Sequence, residues 1–405
     1  MSGEYEEIEI NDMDHYSDDD SSPEPEDDLE VDGNDTSFFS FQMPESALCL
    51  ATNPVNPLQC CAGCLDNTAK LFAVDAAGTP LGGMDLVGHS DSVVSVKFSP
   101  DGALVATASY DSTIRLWSSV DGTLIATIDE TGSEIEVAAF HPTQNVLAAG
   151  CSDGSVWVWS IEGGEVILRH MLRGHSHGAA VRSLNFLGKD YQGLLSTSDE
   201  GVAILWNLRS GQIVHKTKPL NEGITSAAVH PSRPLYAIGL ENGIAYVLHA
   251  ETGKILHKLS ANGSIESVTF SPCGTLLALA TLEGILEIWQ VEQLGGYPRH
   301  KIDLSARLAA ESGEPVAYEI GFTKLVWHPD ASLRCIVSVG KSGRVDLWNA
   351  MTGEHITELP GHQADVLDVA AVMIQDPQGR QVARIVSGCD EGFVKMFSVS
   401  QDSDA

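Results

Sequence analysis

Three side chains in one stretch have the types that proton-transfer chemistry uses, His89, Thr107 and Asp111, and Trp117 stands beside them as a fourth polar partner. A histidine set between a carboxylate and a hydroxyl is the arrangement of a hydrolytic triad. Here the hydroxyl falls inside an apolar strand, with no strand-to-helix elbow or oxyanion hole beside it. The four therefore read as a buried polar network that fixes loops. Cys60, Cys61 and Cys64 form the one Cys-x-x-Cys of the chain. They also fall on a strand, where a buried thiol behaves as a small hydrophobe, and a zinc or redox site needs ligands that the pattern lacks. His141, His230 and His328 each precede Pro in separate turns and form those turns. No glycine-rich phosphate cradle is present, so neither catalysis nor a cofactor or metal is expected. The chemistry that remains is that of charge.

The chain of 405 residues carries 23 Lys+Arg against 56 Asp+Glu, a formal charge of −33. Phosphate backbones and anionic membrane surfaces require the opposite sign, which excludes direct nucleic-acid and membrane partners. A basic protein is the natural complement. No apolar run reaches the roughly 18–20 residues of a membrane span. The acidic N-terminus lacks the basic start and apolar stretch of a signal peptide. Eight cysteines make no disulfide framework, so a cytoplasmic location is expected.

The elements that position this charge follow from a repeat. Residues 1–35 hold 16 acidic residues and no Lys or Arg, and should form a disordered acidic tail. From residue 36 to 401 short apolar strands alternate with Gly, Pro, Asn and Asp turns. One phrase recurs, clearest in Ser95–Trp117: a strand, a Ser-Pro or His-Pro turn, an apolar strand, an Asp/Glu-Gly turn, and a strand ending in a large apolar residue. Those endings are Phe72, Trp117, Trp159, Trp206, Leu248, Trp289, Trp348 and Phe397, spaced by 45, 42, 47, 42, 41, 59 and 49 residues. Four strands per roughly 40–45 residues is the signature of a β-propeller. Eight endings predict an all-β propeller of eight blades; seven is the alternative count if the fifth repeat, with Leu248 in the Trp position, forms no blade. The last repeat stops after its third strand. The segment Thr36–Met43 is expected to supply the fourth, so that an N-terminal strand closes the ring.

A propeller has two rims, one carrying the loops that enter each blade and the tight turns between second and third strands. On this top rim about 19 acidic and 4 basic residues fall, against about 11 and 8 on the other. Solubility alone would not confine charge to one face. The candidate partner-binding residues are Asp91, Glu134, Glu222 and Asp365 in entering loops, and Tyr110, Asp199, Glu200, Glu241, Glu283, Asp390 and Glu391 in tight turns. Glu136 and Glu266, early in innermost strands, should line the channel mouth. The 59-residue spacing marks an insertion, Ser305–Gly321, read as a loop flap with Glu311, Glu314 and Glu319.

Gly-His pairs at Gly88-His89, Gly174-His175 and Gly361-His362, with the repeat phrase, resemble the WD-repeat family over roughly residues 45–400. The acidic tail, eight degenerate repeats and the terminal GHQADVLDVA are similar to the angio-associated migratory cell protein family, whose fungal counterpart is a dedicated ribosome-assembly chaperone. The resemblance implies capture, in the cytoplasm, of the basic N-terminal segment of a newly made large-subunit ribosomal protein by a monomeric propeller. A WD-repeat scaffold in signalling or cell migration, a histone-binding chaperone and a ubiquitin-ligase substrate receptor stay open as alternatives.

Overall fold

In the computed structural model, which describes residues 35–187, 192–313 and 320–400, each repeat turns between its second and third strands through a left-handed residue. In the first, second, third and fifth repeats a carboxylate or amide caps the turn, as where Asp111 accepts the Thr113 N–H at 2.9 Å, Asp153 that of Ser155 at 2.9 Å and Asn242 that of Ile244 at 3.1 Å. The residue after the cap is left-handed. Glycine takes it in most repeats (Gly154 φ 84°, Gly243 φ 79°, Gly392 φ 81°), but Asn67 and Ser112 adopt it at 73° and 69°. Short polar side chains tolerate this region best.

Among the described residues these turns join thirty-two strands into eight four-stranded sheets, so eight blades are present. The innermost strands are Ala47–Thr52, Val93–Phe98, Ile135–Phe140, Val181–Leu187, Ile224–Val229, Ile265–Phe270, Phe322–Trp327 and Val366–Gln375. The fifth repeat is a full blade: Leu248 is completely buried, and Tyr236 from the neighbouring strand supplies the missing ring, also fully buried. Apolar cores lie between adjacent blades, as where Ile114 and Leu116 meet Ile135, Leu147 and Trp159.

The eighth sheet is completed from the other end of the chain. Phe39–Gln42 pairs antiparallel with Phe393–Ser400, setting Phe39 opposite Met396 and Phe41 opposite Val394. Phe39 stacks on Phe72 of the first blade at 6.0 Å, and Phe41 meets the same ring edge-on at 4.8 Å. The ring is therefore closed by an N-terminal strand.

The insertion differs from the loop expected. Leu304–Ser312 is a helix, capped by Asp303, which accepts the Ala306 N–H at 3.0 Å, and ended by Gly313 at φ 75°. Leu304 and Leu308 pack into the core between the sixth and seventh blades, and the Arg307 guanidinium lies 5.2 Å from the Trp348 ring. Alanines and straight side chains favour this helix, and the apolar contacts hold it down. Glu314 and Glu319 lie outside the described residues, as does the expected acidic tail apart from Asp35. No described helix is long and apolar enough to cross a membrane.

Candidate binding rim at the channel mouth

One backbone hydrogen bond recurs in all eight blades and builds the rim. The residue after the second strand donates its N–H to the carbonyl of the residue just before the first. Tyr110 donates to Ser92 at 3.2 Å, Asp199 to Ala180 at 3.1 Å, Glu241 to Gly223 at 3.2 Å and Asp390 to Asp365 at 2.9 Å. Leu65, Ser152, Leu282 and Lys341 donate in the same way to Ser46, Glu134, Ser264 and Gly321. Each tight turn is thereby fastened to its entering loop, so candidates from both kinds of loop share one face.

Beside that bond, every innermost strand shifts register by one residue. Ile135 pairs with Cys151 but Val137 with Gly150; Val181 pairs with Ser198 but Ser183 with Thr197. The other six strands repeat the shift at the same place. Such a bulge leaves its extra residue unpaired and re-aims the side chain. The eight residues so released are Leu48, Val94, Glu136, Arg182, Thr225, Glu266, Thr323 and Leu367. Some of them reach toward a neighbouring blade: Arg182 donates to Glu136 at 3.1 Å, and the Thr323 hydroxyl donates to Val366 O at 2.6 Å. The Thr225 hydroxyl likewise donates to Ile265 O.

The candidates cluster most densely across the second to fourth blades. Burial pushes the Glu136 carboxyl up; Arg182 opposes that shift, while Glu134 and Asp199 add to it. Burial also raises the Tyr110 hydroxyl, with Glu136, Glu134 and Asp91 contributing in the same direction. Arg182 lies 3.8 Å from Asp199 as well, and remains half exposed. This cation stands at the bulge position that Glu136 and Glu266 hold in their own blades, but a pattern of acids does not mark it.

The remaining candidates divide by exposure and partnership. Glu134, Glu222, Glu241, Glu283 and Glu391 are exposed, and Glu266 is half-buried at the mouth. Asp91 is exposed and its carboxylate accepts the Ser92 N–H at 2.7 Å. Asp365 accepts the Ser342 N–H at 3.0 Å, and Asp390 accepts from the Ser46 hydroxyl at 2.9 Å. Glu200 is committed within its own blade, accepting from the Ser176 N–H at 3.0 Å and from the Ser176 hydroxyl.

That commitment belongs to a buried network. In the second blade His89 Nδ1 lies 2.9 Å from Asp111, and His89 Nε2 2.8 Å from the Thr107 hydroxyl, to which Trp117 donates at 2.9 Å. The fourth blade, whose Glu200 stands in the Asp111 position, keeps the same connections. His175 Nε2 and Trp206 Nε1 each lie 2.8 Å from the Ser196 hydroxyl, and His175 Nδ1 lies 3.4 Å from Glu200. Burial lowers His175 to about 4 and His362 of the eighth blade to about 4.

Below the mouth the sign reverses. Lys324 donates to the buried Asp368, which also accepts the Leu50 N–H at 2.8 Å. Lys97 stands close enough that Lys324 adds to the fall that burial imposes on its ammonium, and Asp368 opposes it. Two ammonium groups face one carboxylate there, against the acids above. Cys60, Cys61 and Cys64 are all buried; Cys60 and Cys61 join different interblade cores, on opposite faces of their strand. His141 Nδ1 accepts from the Thr143 and Gln144 N–H groups at 3.2 and 3.1 Å, and His230 does likewise with Ser232 and Arg233, which makes them turn formers. Among the described residues no group of three or more His, Cys, Asp or Glu is placed to hold a metal ion.

Comparison with known proteins agrees with this fold. The WD domain, G-beta repeat model matches residues 82–118, 122–160 and 353–398. The angio-associated migratory cell protein of Homo sapiens is 25% identical over 392 residues, 92% of this chain and 82% of that protein. The ribosome assembly protein SQT1 of Saccharomyces cerevisiae is 25% identical over 415 aligned positions, 94% of this chain and 91% of that protein. The crystal structure of Saccharomyces cerevisiae Sqt1 superposes with a TM-score of 0.79 at 23% identity, covering 91% of this chain and 100% of that one. That of Chaetomium thermophilum Sqt1 bound to the N-terminus of the ribosomal protein L10 gives 0.74 at 22% identity, covering 90% and 100%.

Proposed function

We propose that this WD40-repeat propeller, homologous to the angio-associated migratory cell protein and to yeast ribosome assembly protein SQT1, is a ribosome-assembly chaperone. It binds the basic N-terminal segment of ribosomal protein L10 on its acidic top rim. The observation that carries this reading is the rim itself: eight repeated hydrogen bonds gather the loops on one face, and carboxylates dominate what those loops present. A related propeller holds the N-terminus of L10, which supplies the chemistry of the partner.

The mechanism needs no catalytic step, and we read the chain as a non-enzymatic, monomeric, cytoplasmic scaffold. A single exposed ion pair contributes about 0.2–1 kcal/mol, so affinity comes from several pairs formed at once. Long-range attraction raises the association rate about 10- to 1,000-fold and fades with salt. Ribosomal RNA, a far denser polyanion, then takes the segment from the rim.

The test is titration with an L10 N-terminal peptide and a scrambled peptide of equal composition, at two salt concentrations. A variant carrying Glu222→Lys, Glu241→Lys and Glu283→Lys alters exposed carboxylates and leaves the buried networks intact. Selective binding that this variant abolishes supports the reading. Equal binding of both peptides means that the rim is a generic polyanion, and the dedicated-chaperone reading fails.

A further inference from the structure

The eight side chains released by the bulges are not distributed evenly. Leu367, Leu48 and Val94 belong to the consecutive eighth, first and second blades, whereas Glu136, Arg182 and Glu266 lie in the third, fourth and sixth. The two threonines complete the ring, and both spend their hydroxyls on backbone carbonyls. One arc of the mouth is therefore apolar and the opposite arc charged. The apolar arc is continuous: Cys49 Sγ lies 3.5 Å from Val93 O, and the Leu50 N–H reaches Asp368 at 2.8 Å, so the three strands adjoin.

Among the described residues the apolar arc is only partly covered. Leu48, Val94 and Leu367 are each partly exposed, and none joins the interblade cores that flank them. A bulge that turns a leucine or valine toward water leaves apolar surface at the mouth that a ligand can cover. Beneath this arc Lys97 and Lys324 face Asp368. Two ammonium groups against one carboxylate disfavour entry of a cationic segment into the deeper channel.

We propose that the mouth is a two-sided socket that selects its partner by an apolar or aromatic side chain as well as by cations. The partner seats that side chain on Leu48, Val94 and Leu367 while its flanking cations face Glu136 and Glu266. Continuity with the acidic rim fixes the occupant as a basic peptide segment. This inference rests on the rim reading and adds what a charge count cannot: a term in the affinity that salt does not screen.

The experiment titrates the full chain with two forms of the L10 N-terminal peptide. One is native; the other has every apolar and aromatic side chain replaced by serine and every cation kept. The native form is expected to bind about ten- to a hundredfold more tightly, as burial of one such side chain gives. Both forms should show the same slope of log affinity against log salt. The variant Leu48→Ser/Val94→Ser/Leu367→Ser should remove the difference, while Leu48→Met, which keeps an apolar surface, should retain it. Thermal unfolding of both variants confirms that the ring is intact. Equal binding of the two peptides overturns the socket and leaves the acidic rim standing. Failure of both to bind at low salt overturns the rim reading and the socket with it. If the triple variant turns a self-associated chain into monomer in sedimentation, the apolar arc faces a second copy and the proposal falls.

Discussion

Lys395, on the third strand of the eighth blade, donates to the Asp35 carboxylate with both side chains no more than 10% exposed. The pair joins the chain's two ends next to the strand that closes the ring, where the Thr36 N–H also reaches Pro360 O at 2.9 Å. Burial raises the Asp35 carboxyl, and hydrogen bonds from Lys395 and Ser37 overcome it, holding the group below its ordinary value. Removing one member strands the other. Asp35→Ala should destabilise the protein by about 3–5 kcal/mol in urea unfolding. The double variant Asp35→Ala/Lys395→Met should recover part of that loss. Additive losses would show that the two side chains do not stabilise the closure as a pair.

The closing strand makes a separate prediction through its aromatics. Phe39 and Phe41 both contact Phe72, so each couples the last blade to the first. Phe39→Ser/Phe41→Ser should lower Tm by more than any single rim substitution, and should expose the outer edge of Phe393–Ser400. Hydrogen exchange of the Val394 and Met396 amides, which face the closing strand, reports that edge directly. Unchanged protection there would mean that the ring is held shut by other contacts.

Much of this architecture was legible because it depends on local chemistry repeated eight times. Turn residues, apolar strands and buried rings at fixed spacing gave the blades, and a missing fourth strand gave the closure. The bulges were not legible, since a register shift is a property of two strands paired and leaves no composition signal in either. Glu136 and Glu266 stand out by their acidic charge, whereas Arg182, at the same place in its blade, carries the opposite sign and is not marked by it. The helix Leu304–Ser312 was signalled by its Asp303 cap, its alanines and Gly313, a local pattern that the β-repeat around it obscured. Glu200 looked free because the fourth blade departs from Asp; one extra methylene still reaches the Ser176 N–H.

Two histidines set an acid limit on stability. His175 and His362 are buried and lowered to about 4, whereas an unfolded histidine titrates near 6.5. Between those values the unfolded chain takes up protons that the folded chain refuses. Stability is therefore complete above pH 6.5 and falls as the pH drops toward 4. Each site should lose about 2 kcal/mol between pH 6.5 and 5. Urea unfolding of His362→Asn should show a correspondingly shallower pH dependence than the parent. A gap between the two proteins that is constant across this range would contradict the assignment.

Arg182 tempers the acidic cluster that surrounds it. Its guanidinium lies against Glu136 and Asp199, so those carboxylates present less charge to a cationic partner. Arg182→Met should raise the association rate of a basic peptide by about threefold at low salt, with the advantage shrinking as salt increases. Stopped-flow binding checks this. Slower association and weaker binding would instead identify Arg182 as a direct contact for the partner, for instance through a backbone carbonyl.

The eight free cysteines should separate sharply in reactivity. Burial pushes the Cys49, Cys60 and Cys151 thiols up to about 12, beyond the reach of neutral pH. Cys273 is exposed, and although partial burial opposes ionisation, the Ser271 and Thr275 hydroxyls and the more distant Arg334 lower it to about 7. The thiolate is the reactive form, so this site is ionised by roughly half near neutrality while the buried thiols are not. An uncharged disulfide reagent avoids repulsion from the acidic surface and should modify one thiol quickly, with the rest following only on unfolding. Cys273→Ser should abolish the fast phase and leave the unfolding-limited one unchanged. A second fast thiol would show that a blade core opens in the native state, and would place that opening at whichever cysteine reacts.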